Sequence, residues 1–202
     1  MNRRAMTKAL SCALATLILL AGCNAPEADA PGDPPLTGAA IGGPFELVNS
    51  RGETVRWSDF DGKYRLIYFG YAYCPDVCPF DVQRMMQGYE QVKADNPALA
   101  ADIVPLFVTV DPERDTPEVV GEFTSAFSDD LIGLTGTPEQ VQAAADAFAV
   151  YYAKGEPNEA GAYLMDHSRS AYLMDREGKP LALLPVDESS DGVAAEIEKW
   201  VG

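Results

Sequence analysis

The sequence is organised around Tyr71-Ala-Tyr-Cys-Pro-Asp-Val-Cys-Pro79, a segment in which three residues separate two cysteines. The apolar run Leu66–Tyr71 predicts a buried strand, and apolar residues recurring every three or four positions after Pro79 predict a helix. Proline suits the first helical turn, but it disfavours α geometry in the residue before it. We therefore expect both sulfurs in a strand-to-helix turn, where the positive end of the helix dipole stabilises thiolate.

The rest of the chain alternates between strand-like and helix-like patterns. A hairpin over Phe45–Val48 and Thr54–Trp57 precedes three strand–helix units, and a second hairpin, Ala171–Met174 with Leu181–Leu184, precedes the last helix. Such alternation predicts parallel strands covered by helices, with an antiparallel edge. The predicted fold class is α/β: a thioredoxin-like (peroxiredoxin-like) sandwich with a mixed central sheet, forming one domain over residues 44–202.

The N-terminal region predicts export. Basic residues precede the apolar run Ala9–Ala21, which is short for a membrane span and leads into Leu20-Ala-Gly-Cys23, a sequence that resembles a bacterial lipobox. We expect residues 1–22 to be a lipoprotein signal peptide, Cys23 to be lipidated, and residues 23–43 to be a flexible tether rich in Pro, Ala, Gly and Asp. An uncleaved anchor or a plain signal peptide is the alternative. The expected location is the periplasmic face of the cell membrane.

The charge of the chain restricts its partners. Its formal net charge is −16, and loss of Arg3, Arg4 and Lys8 with the signal peptide makes it −19. Such an acidic protein repels phosphate backbones, which argues against nucleic acid as a partner. An acidic surface primarily aids solubility, although it also favours cationic partners.

Cys74 and Cys78 remain as a pair once Cys12 leaves with the signal peptide and Cys23 is lipidated. In an exported protein this pair is a disulfide, a redox-active dithiol or a metal site. A purely structural disulfide would close a very short loop and would stabilise little. Thiolates select Cu(I) and Zn(II), and structural zinc usually takes four side-chain ligands. Two cysteines with one imidazole suit three-coordinate Cu(I), and Cu(II) could add water or a carboxylate.

His167 is the one histidine of the chain and lies between the predicted strands Tyr163–Met165 and Ala171–Met174. A single histidine in a sequence is usually incidental. Its place at a loop end between apolar strands favours a functional role, and Asp166 and Ser168 are neighbours that could orient its ring.

Two aspartates are candidates for second-shell or partner contacts. Asp111 ends a predicted buried strand, at the edge where ligand sites of α/β proteins gather, although capping a turn is the plainer role. Asp76 lies between the two cysteines and could face a partner. Neither aspartate is predicted to be a ligand.

Three motifs in order resemble the Sco (SenC/PrrC) family. They are Tyr68-Phe-Gly-Tyr-Ala-Tyr-Cys-Pro-Asp-Val-Cys-Pro79, Thr109-Val-Asp-Pro-Glu-Arg-Asp-Thr-Pro117, and Tyr163-Leu-Met-Asp-His-Ser168 followed by Tyr172-Leu-Met-Asp-Arg-Glu-Gly178. The resemblance implies a thioredoxin-like fold and binding of copper, as Cu(I), Cu(II) or both, by Cys74, Cys78 and His167. It also implies assembly of the dinuclear copper centre of cytochrome c oxidase. The implied partners are the copper-bearing oxidase subunit and other periplasmic copper carriers.

Two departures from thioredoxins favour a metal carrier over a redox catalyst. The cysteines form CxxxC rather than CxxC, and Ser168-Arg-Ser-Ala171 stands where thioredoxins place a proline. The leading hypothesis is a tethered copper chaperone. The alternative is a thiol–disulfide oxidoreductase that keeps the oxidase cysteines reduced, in which a Cys74–Cys78 disulfide would form and His167 would be dispensable. A peroxidase lacks a clear motif.

Overall fold

The computed structural model describes residues 32–202. The predicted signal peptide, the predicted lipidation site Cys23 and residues 24–31 of the predicted tether lie outside the described residues. Within residues 32–202, no helix is both long enough and apolar enough to cross a membrane.

Seven of the strands form one mixed sheet with helices packed against it. The strands of the described residues are β1 (Glu46–Asn49), β2 (Thr54–Arg56), β3 (Tyr64–Gly70), β4 (Ile103–Thr109), β5 (Ile132–Thr135), β6 (Tyr152–Lys154), β7 (Met165–His167), β8 (Ala171–Met174) and β9 (Pro180–Leu183). The α-helices are α1 (Val77–Asp95), α2 (Pro97–Ala100), α3 (Pro117–Ser125), α4 (Pro138–Ala147) and α5 (Ser190–Val201).

The strand order in the large sheet is β2-β1-β5-β4-β3-β8-β9. Strands β3, β4 and β5 are parallel to one another, whereas β1, β2, β8 and β9 pair antiparallel at the two sides. The predicted mixed sheet with an N-terminal hairpin is therefore confirmed. Helix α1 packs against α5, α3 against β5, and α4 against β1.

The central strands β3 and β4 form the middle of the core. Their residues from Leu66 to Phe69 and from Leu106 to Val108 are fully buried. A parallel strand that is covered on both faces needs a continuous apolar run rather than an alternating one, as both sequences show. This burial fixes the carboxyl ends of the strands, from which the cysteine loop and the Asp111 loop emerge.

Helices α3, α4 and α5 each begin at a capping side chain. The side chains of Thr116, Thr137 and Ser189 each accept a hydrogen bond from a backbone N–H in the first turn of α3, α4 and α5. Proline follows each of the two threonines at the first helical position, where it costs no hydrogen bond.

The start of α1 differs from the prediction. We expected Pro79 to keep Cys78 out of the helix, but α1 begins at Val77, so that Cys78 lies in its first turn. The N–H groups of this turn have no acceptor within the helix. That of Cys78 instead donates to the Sγ atom of Cys74 over 3.4 Å, which gives the helical conformation of Cys78 a local partner.

Residues 33–43 pack against the domain. The prediction that a flexible tether extends to residue 43 is therefore wrong for these residues. Leu36 N donates to Leu181 O over 3.0 Å, and Gly42 N donates to Ala147 O over 2.8 Å. Gly42 has φ +96, and a Cβ atom there would lie 2.8 Å from Cε of Met174. The folded unit therefore starts at Asp33 rather than at Pro44.

A small hairpin carries His167. We predicted a strand over Tyr163–Met165, but the strand is shifted so that His167 is its last residue. It pairs antiparallel with β6, in which Tyr152 lies opposite His167. Tyr151, which precedes β6, lies beyond the end of α4 and is exposed. The sequence gives β6 little signal because the strand has only three residues and no alternation.

Candidate metal centre

The cysteine pair lies where β3 passes into α1. Cys74 N donates to Tyr71 O over 3.2 Å, which closes the turn between strand and helix. Cys78 is fully buried and Cys74 is 8% exposed. Gly70 lets the two elements approach, because a Cβ atom there would lie 3.2 Å from Cys78 Sγ and 2.8 Å from a ring carbon of Tyr68. Both cysteines are free thiols, so the dithiol is the form described rather than the Cys74–Cys78 disulfide.

His167 reaches the cysteine pair from the β6–β7 hairpin. Its Nε2 atom lies 3.2 Å from Cys78 Sγ, and its Nδ1 atom lies 2.9 Å from the carbonyl oxygen of Ser168. Because a carbonyl oxygen can only accept, Nδ1 carries a proton, and Nε2 is the ring nitrogen directed at the sulfur. The rings of Tyr68 and Tyr71 pack edge-on against the imidazole. Of the donors predicted from the sequence, the structure therefore brings His167 and Cys78 into direct contact.

Ser168, not Asp166, orients the imidazole. The carbonyl oxygen of Ser168 accepts a hydrogen bond from Nδ1 of His167. The backbone N–H of Ser168 donates to Tyr151 O over 2.9 Å. The Ser168 hydroxyl in turn accepts from Tyr151 N over 3.1 Å. Asp166 is exposed. An outer partner on the second ring nitrogen is typical of histidines that bind metal, because it fixes both tautomer and orientation.

The two thiols hold their protons unequally. Cys78 lies beside both the sulfur of Cys74 and Nε2 of His167, and its single thiol proton can be donated to one of them at a time. Its hydrogen bond lowers the pKa of Cys74 despite the opposing effect of burial. The same hydrogen bond, together with burial, raises the pKa of Cys78. The pair therefore loses its first proton from Cys74 and its second with difficulty.

The three donors are close but not yet arranged around an ion. Within residues 32–202, no three His, Cys, Asp or Glu side chains form a complete preformed metal-binding cluster. The contact between Cys78 and His167 has the length of a hydrogen bond that involves sulfur, and a soft cation would bind between these donors. The chemistry of the donors fits such a cation, since two thiolates and one imidazole favour Cu(I) or Zn(II) over hard ions.

The two candidate aspartates have different roles. Asp76 is exposed and its side chain makes no capping hydrogen bond at the start of α1. Asp111 is buried, and its carboxylate accepts hydrogen bonds from Arg114 Nε and, over 3.0 Å, from the hydroxyl of Tyr163. Asp111 is thus engaged in a network that supports the hairpin, and Asp76 stays a candidate for partner contact.

Sequence reasoning missed the residue at the centre of that network. Arg114 stacks on the ring of Tyr163 at 3.7 Å, and its Nη1 donates to the Tyr163 carbonyl over 2.9 Å. It also lies 5.3 Å from the ring of Tyr73 in the cysteine loop. Arg114 therefore joins three loops around the site. The signal was present in the motif Thr109–Pro117, in which we assigned a role only to Asp111.

Asp115, which sequence reasoning also missed, supports the cysteine loop. The Asp115 carboxylate is fully buried and accepts from Ala72 N over 2.8 Å and from the Thr109 hydroxyl over 2.6 Å. Burial raises the pKa of Asp115 against the lowering effect of these hydrogen bonds. The loop that precedes Cys74 is thereby anchored to the β4–α3 connection.

Comparison with known proteins identifies the family. A family model described as SCO1/SenC matches residues 33–202, the whole folded unit. The chain belongs to the SCO1/SenC family. SenC of Rhodobacter capsulatus is 47% identical to it over 137 residues, which cover 68% of this chain and 60% of that protein. The resemblance carried by the three motifs is therefore confirmed.

Solved structures agree with this membership of the SCO1/SenC family. Arabidopsis thaliana ScoI with copper bound is 38% identical, has a TM-score of 0.70, and is matched over 79% of this chain and 99% of that chain. A thioredoxin domain of a Bacteroides vulgatus thiol–disulfide oxidoreductase is 19% identical with a TM-score of 0.54, over 80% of this chain and 96% of that chain. The second likeness concerns the fold alone and confirms that it is thioredoxin-like.

The curated SCO1/SenC relatives are longer than the matching region. The chain covers between 48% and 60% of the length of three of them. The match therefore concerns the folded domain of these relatives.

Proposed function

We propose that this SCO1/SenC protein is a copper chaperone that takes part in assembling the copper centre of cytochrome c oxidase. Its cargo would be held by the thiolates of Cys74 and Cys78 and by Nε2 of His167. The main support is the 3.2 Å contact between Cys78 Sγ and His167 Nε2, which joins the soft donors of two separate motifs. Family membership and relatives solved with copper bound support the choice of metal.

The state of each donor favours Cu(I). The Cys74 thiol has a lowered pKa, and Nδ1 of His167 is held by the Ser168 carbonyl, which leaves Nε2 as the nitrogen directed at the metal. Two thiolates and one imidazole would complete a three-coordinate site beside the rings of Tyr68 and Tyr71. Cu(II) would require a further water or carboxylate ligand.

Transfer to a partner would proceed by ligand exchange from the Cys74 side. Cys74 is the thiol with exposed surface, next to the exposed ring of Tyr73, whereas Cys78 is enclosed. The proposed recipient is the copper-bearing subunit of cytochrome c oxidase, and other periplasmic copper carriers are the proposed donors. A three-coordinate ion leaves room for an incoming thiolate before the Cys74 bond breaks.

We also propose that a lipid on Cys23 holds the domain at the periplasmic face of the cell membrane. The lipobox-like Leu20-Ala-Gly-Cys23 supports this proposal. Because residues 33–43 pack against the domain, only residues 24–32 are left as a spacer, which would reach about 28 Å if extended. Replacement of Cys23 by alanine should move the protein from the membrane fraction to the soluble fraction, and unchanged membrane association would contradict lipid anchoring.

X-ray absorption at the copper edge tests the proposed site. The reduced unit 33–202 loaded with one Cu(I) should show two sulfur ligands and one nitrogen ligand. His167→Ala should lose the nitrogen and keep both sulfurs. An identical ligand set in the two proteins would exclude His167 as a copper ligand.

Thiol–disulfide exchange is the second candidate function, because the lowered pKa of Cys74 favours a nucleophilic thiolate on a thioredoxin-like fold. Cys74 would attack a partner disulfide, release one partner thiolate and form a mixed disulfide. Cys78, after losing its proton, would then attack Cys74 Sγ and release the second partner thiolate. The partner gains two electrons and the Cys74–Cys78 disulfide forms. Full partner reduction by His167→Ala, together with weak copper binding by the wild-type protein, would favour this function.

A further inference from the structure

One ion pair, of which the carboxylate is buried, joins the segment that follows His167 to helix α1. Arg169 Nε donates to Asp81 Oδ2 over 3.0 Å, and Arg169 Nη2 donates to Asp81 Oδ1 over 2.7 Å. The Asp81 side chain is 0% exposed, whereas that of Arg169 is 42% exposed. Parallel hydrogen bonds between guanidinium and carboxylate fix direction as well as distance.

The ion pair connects the same two elements as the proposed metal donors. Asp81 follows Cys78 by three residues in α1, which places the two side chains on neighbouring turns of one helix face. Arg169 follows His167 by two residues. The Cys78–His167 contact and the Asp81–Arg169 pair therefore lie side by side across one junction.

Tyr68 ties this ion pair to the imidazole. Its hydroxyl donates to Asp81 Oδ2 over 3.0 Å, and its ring packs edge-on against His167 with a centroid separation of 6.4 Å. With two hydrogen bonds from Arg169 and one from Tyr68, both oxygens of the buried Asp81 carboxylate have partners. A buried carboxylate that loses such partners is strongly destabilised.

The hairpin needs an anchor of this kind. Strands β6 and β7 have three residues each and form a two-stranded sheet apart from the seven-stranded one. Such a hairpin is marginally stable without other contacts. Among the side-chain hydrogen bonds of the described residues, those joining α1 to residues 165–170 are the Cys78–His167 contact and the two bonds between Asp81 and Arg169.

We propose that Asp81 and Arg169 are positioning residues whose ion pair holds His167 Nε2 against Cys78 and so supplies the third copper donor. The inference rests on the proposed copper site, but its structural half concerns the metal-free protein. During loading and release, the proton or the copper ion at Cys78 is exchanged while the ion pair stays in place. The pair thus keeps the imidazole in reach when the direct contact is broken.

The single histidine makes a direct test possible. In reduced, copper-free 33–202, long-range proton–nitrogen NMR correlations of the imidazole report only His167. The wild-type spectrum should show the form protonated at Nδ1. Arg169→Leu should shift it toward the tautomer mixture of a free imidazole, and Arg169→Lys, which keeps a charged donor, should restore it in part. Arg84→Leu is the matched control, because Arg84 joins the same helix to Val186 O over 3.1 Å, away from His167.

Copper affinity provides the second readout. Arg169→Leu should weaken Cu(I) binding by roughly 10- to 100-fold, as loss of outer partners of metal ligands typically does, while Arg84→Leu should not. If Arg169→Leu does not fold, the double variant Asp81→Asn, Arg169→Gln removes the charges with little change in volume and is measured in its place. Wild-type tautomer and wild-type affinity in the folded variant would overturn the positioning role. Weak copper binding by the wild-type protein with an altered tautomer in the variant would instead overturn the copper site alone.

Discussion

His167 Nε2 lies 3.2 Å from Cys78 Sγ, although 89 residues separate the two in the chain. This contact brings the hairpin that follows α4 to the first turn of α1. The two atoms lie within hydrogen-bond distance in the metal-free protein, and a soft cation could bind to both. The chemistry of the site follows from this one juxtaposition together with the neighbouring Cys74 thiol.

The pH dependence of Cys74 alkylation tests the coupling of the two thiols. The hydrogen bond from Cys78 lowers the pKa of Cys74, so Cys78→Ala should shift the alkylation profile of Cys74 to higher pH. Initial rates with iodoacetamide between pH 4 and pH 9 measure the shift. His167→Ala removes a smaller contribution to the same lowering of the Cys74 pKa, so its profile should shift less than that of Cys78→Ala. Superimposable profiles for the wild type and Cys78→Ala would contradict the coupling.

Asp115 should make stability depend on pH. Burial raises the pKa of this carboxyl in the folded protein. Its contribution to folding is therefore complete below the unfolded pKa of about 3.9 and is lost as pH rises through the folded pKa. Asp115→Asn cannot ionise, so its unfolding free energy should rise relative to wild type as pH increases from about 4 to 7.

Urea unfolding of both proteins across this pH range measures the difference. Asp129→Asn, at an exposed position, is the control for simple loss of one negative charge. A difference between Asp115→Asn and wild type that stays constant with pH would show that Asp115 has the same pKa folded and unfolded.

The N-terminal segment should contribute to stability. Removal of residues 33–43 exposes the surface beneath Leu36 and Ile41 and breaks the hydrogen bonds to Leu181 and Ala147. A chain that starts at Pro44 should lose roughly 2 kcal/mol of unfolding free energy relative to one that starts at Asp33. Equal denaturant midpoints and slopes for the two chains would mean that the segment is only a spacer.

Gly70 should be required for the approach of Cys78 to β3. An alanine there would place its Cβ atom 2.8 Å from Tyr68 and 3.2 Å from Cys78 Sγ, so side chains must shift. We expect Gly70→Ala to cost about 1–3 kcal/mol in stability and to weaken copper binding. Unchanged unfolding and unchanged copper affinity would mean that the site tolerates the displacement.

The sequence allowed much of the fold to be predicted because the decisive signals are local. The buried strands β3 and β4 are continuous apolar runs, and Thr116 and Thr137 are caps followed by proline. The segment 33–43 was misassigned because its Pro, Ala and Gly content hides two apolar anchors, Leu36 and Ile41. The three-residue strand β6 is too short to show a period.

The site could be predicted only in part, because its contacts join residues that lie far apart in the sequence. CxxxC and the single histidine are visible in the sequence, and the family motifs suggested that they meet. The pair Asp81 and Arg169 has no local signal, because 88 residues separate the partners and either could be an ordinary surface charge. Arg114 lay within a quoted motif, yet its stacking on Tyr163 depends on the fold of a distant hairpin.

Anaerobic Cu(I) titration of reduced 33–202, with a competing chelator and with His167→Ala alongside, tests the central claim most directly. The account predicts one tightly bound copper per chain and at least about tenfold weaker binding in the variant, since loss of a ligand costs no less than loss of its outer partner. Equal affinity in the two proteins would place His167 outside the site. Weak binding in both would contradict the copper chaperone and leave thiol–disulfide exchange as the function of the cysteine pair.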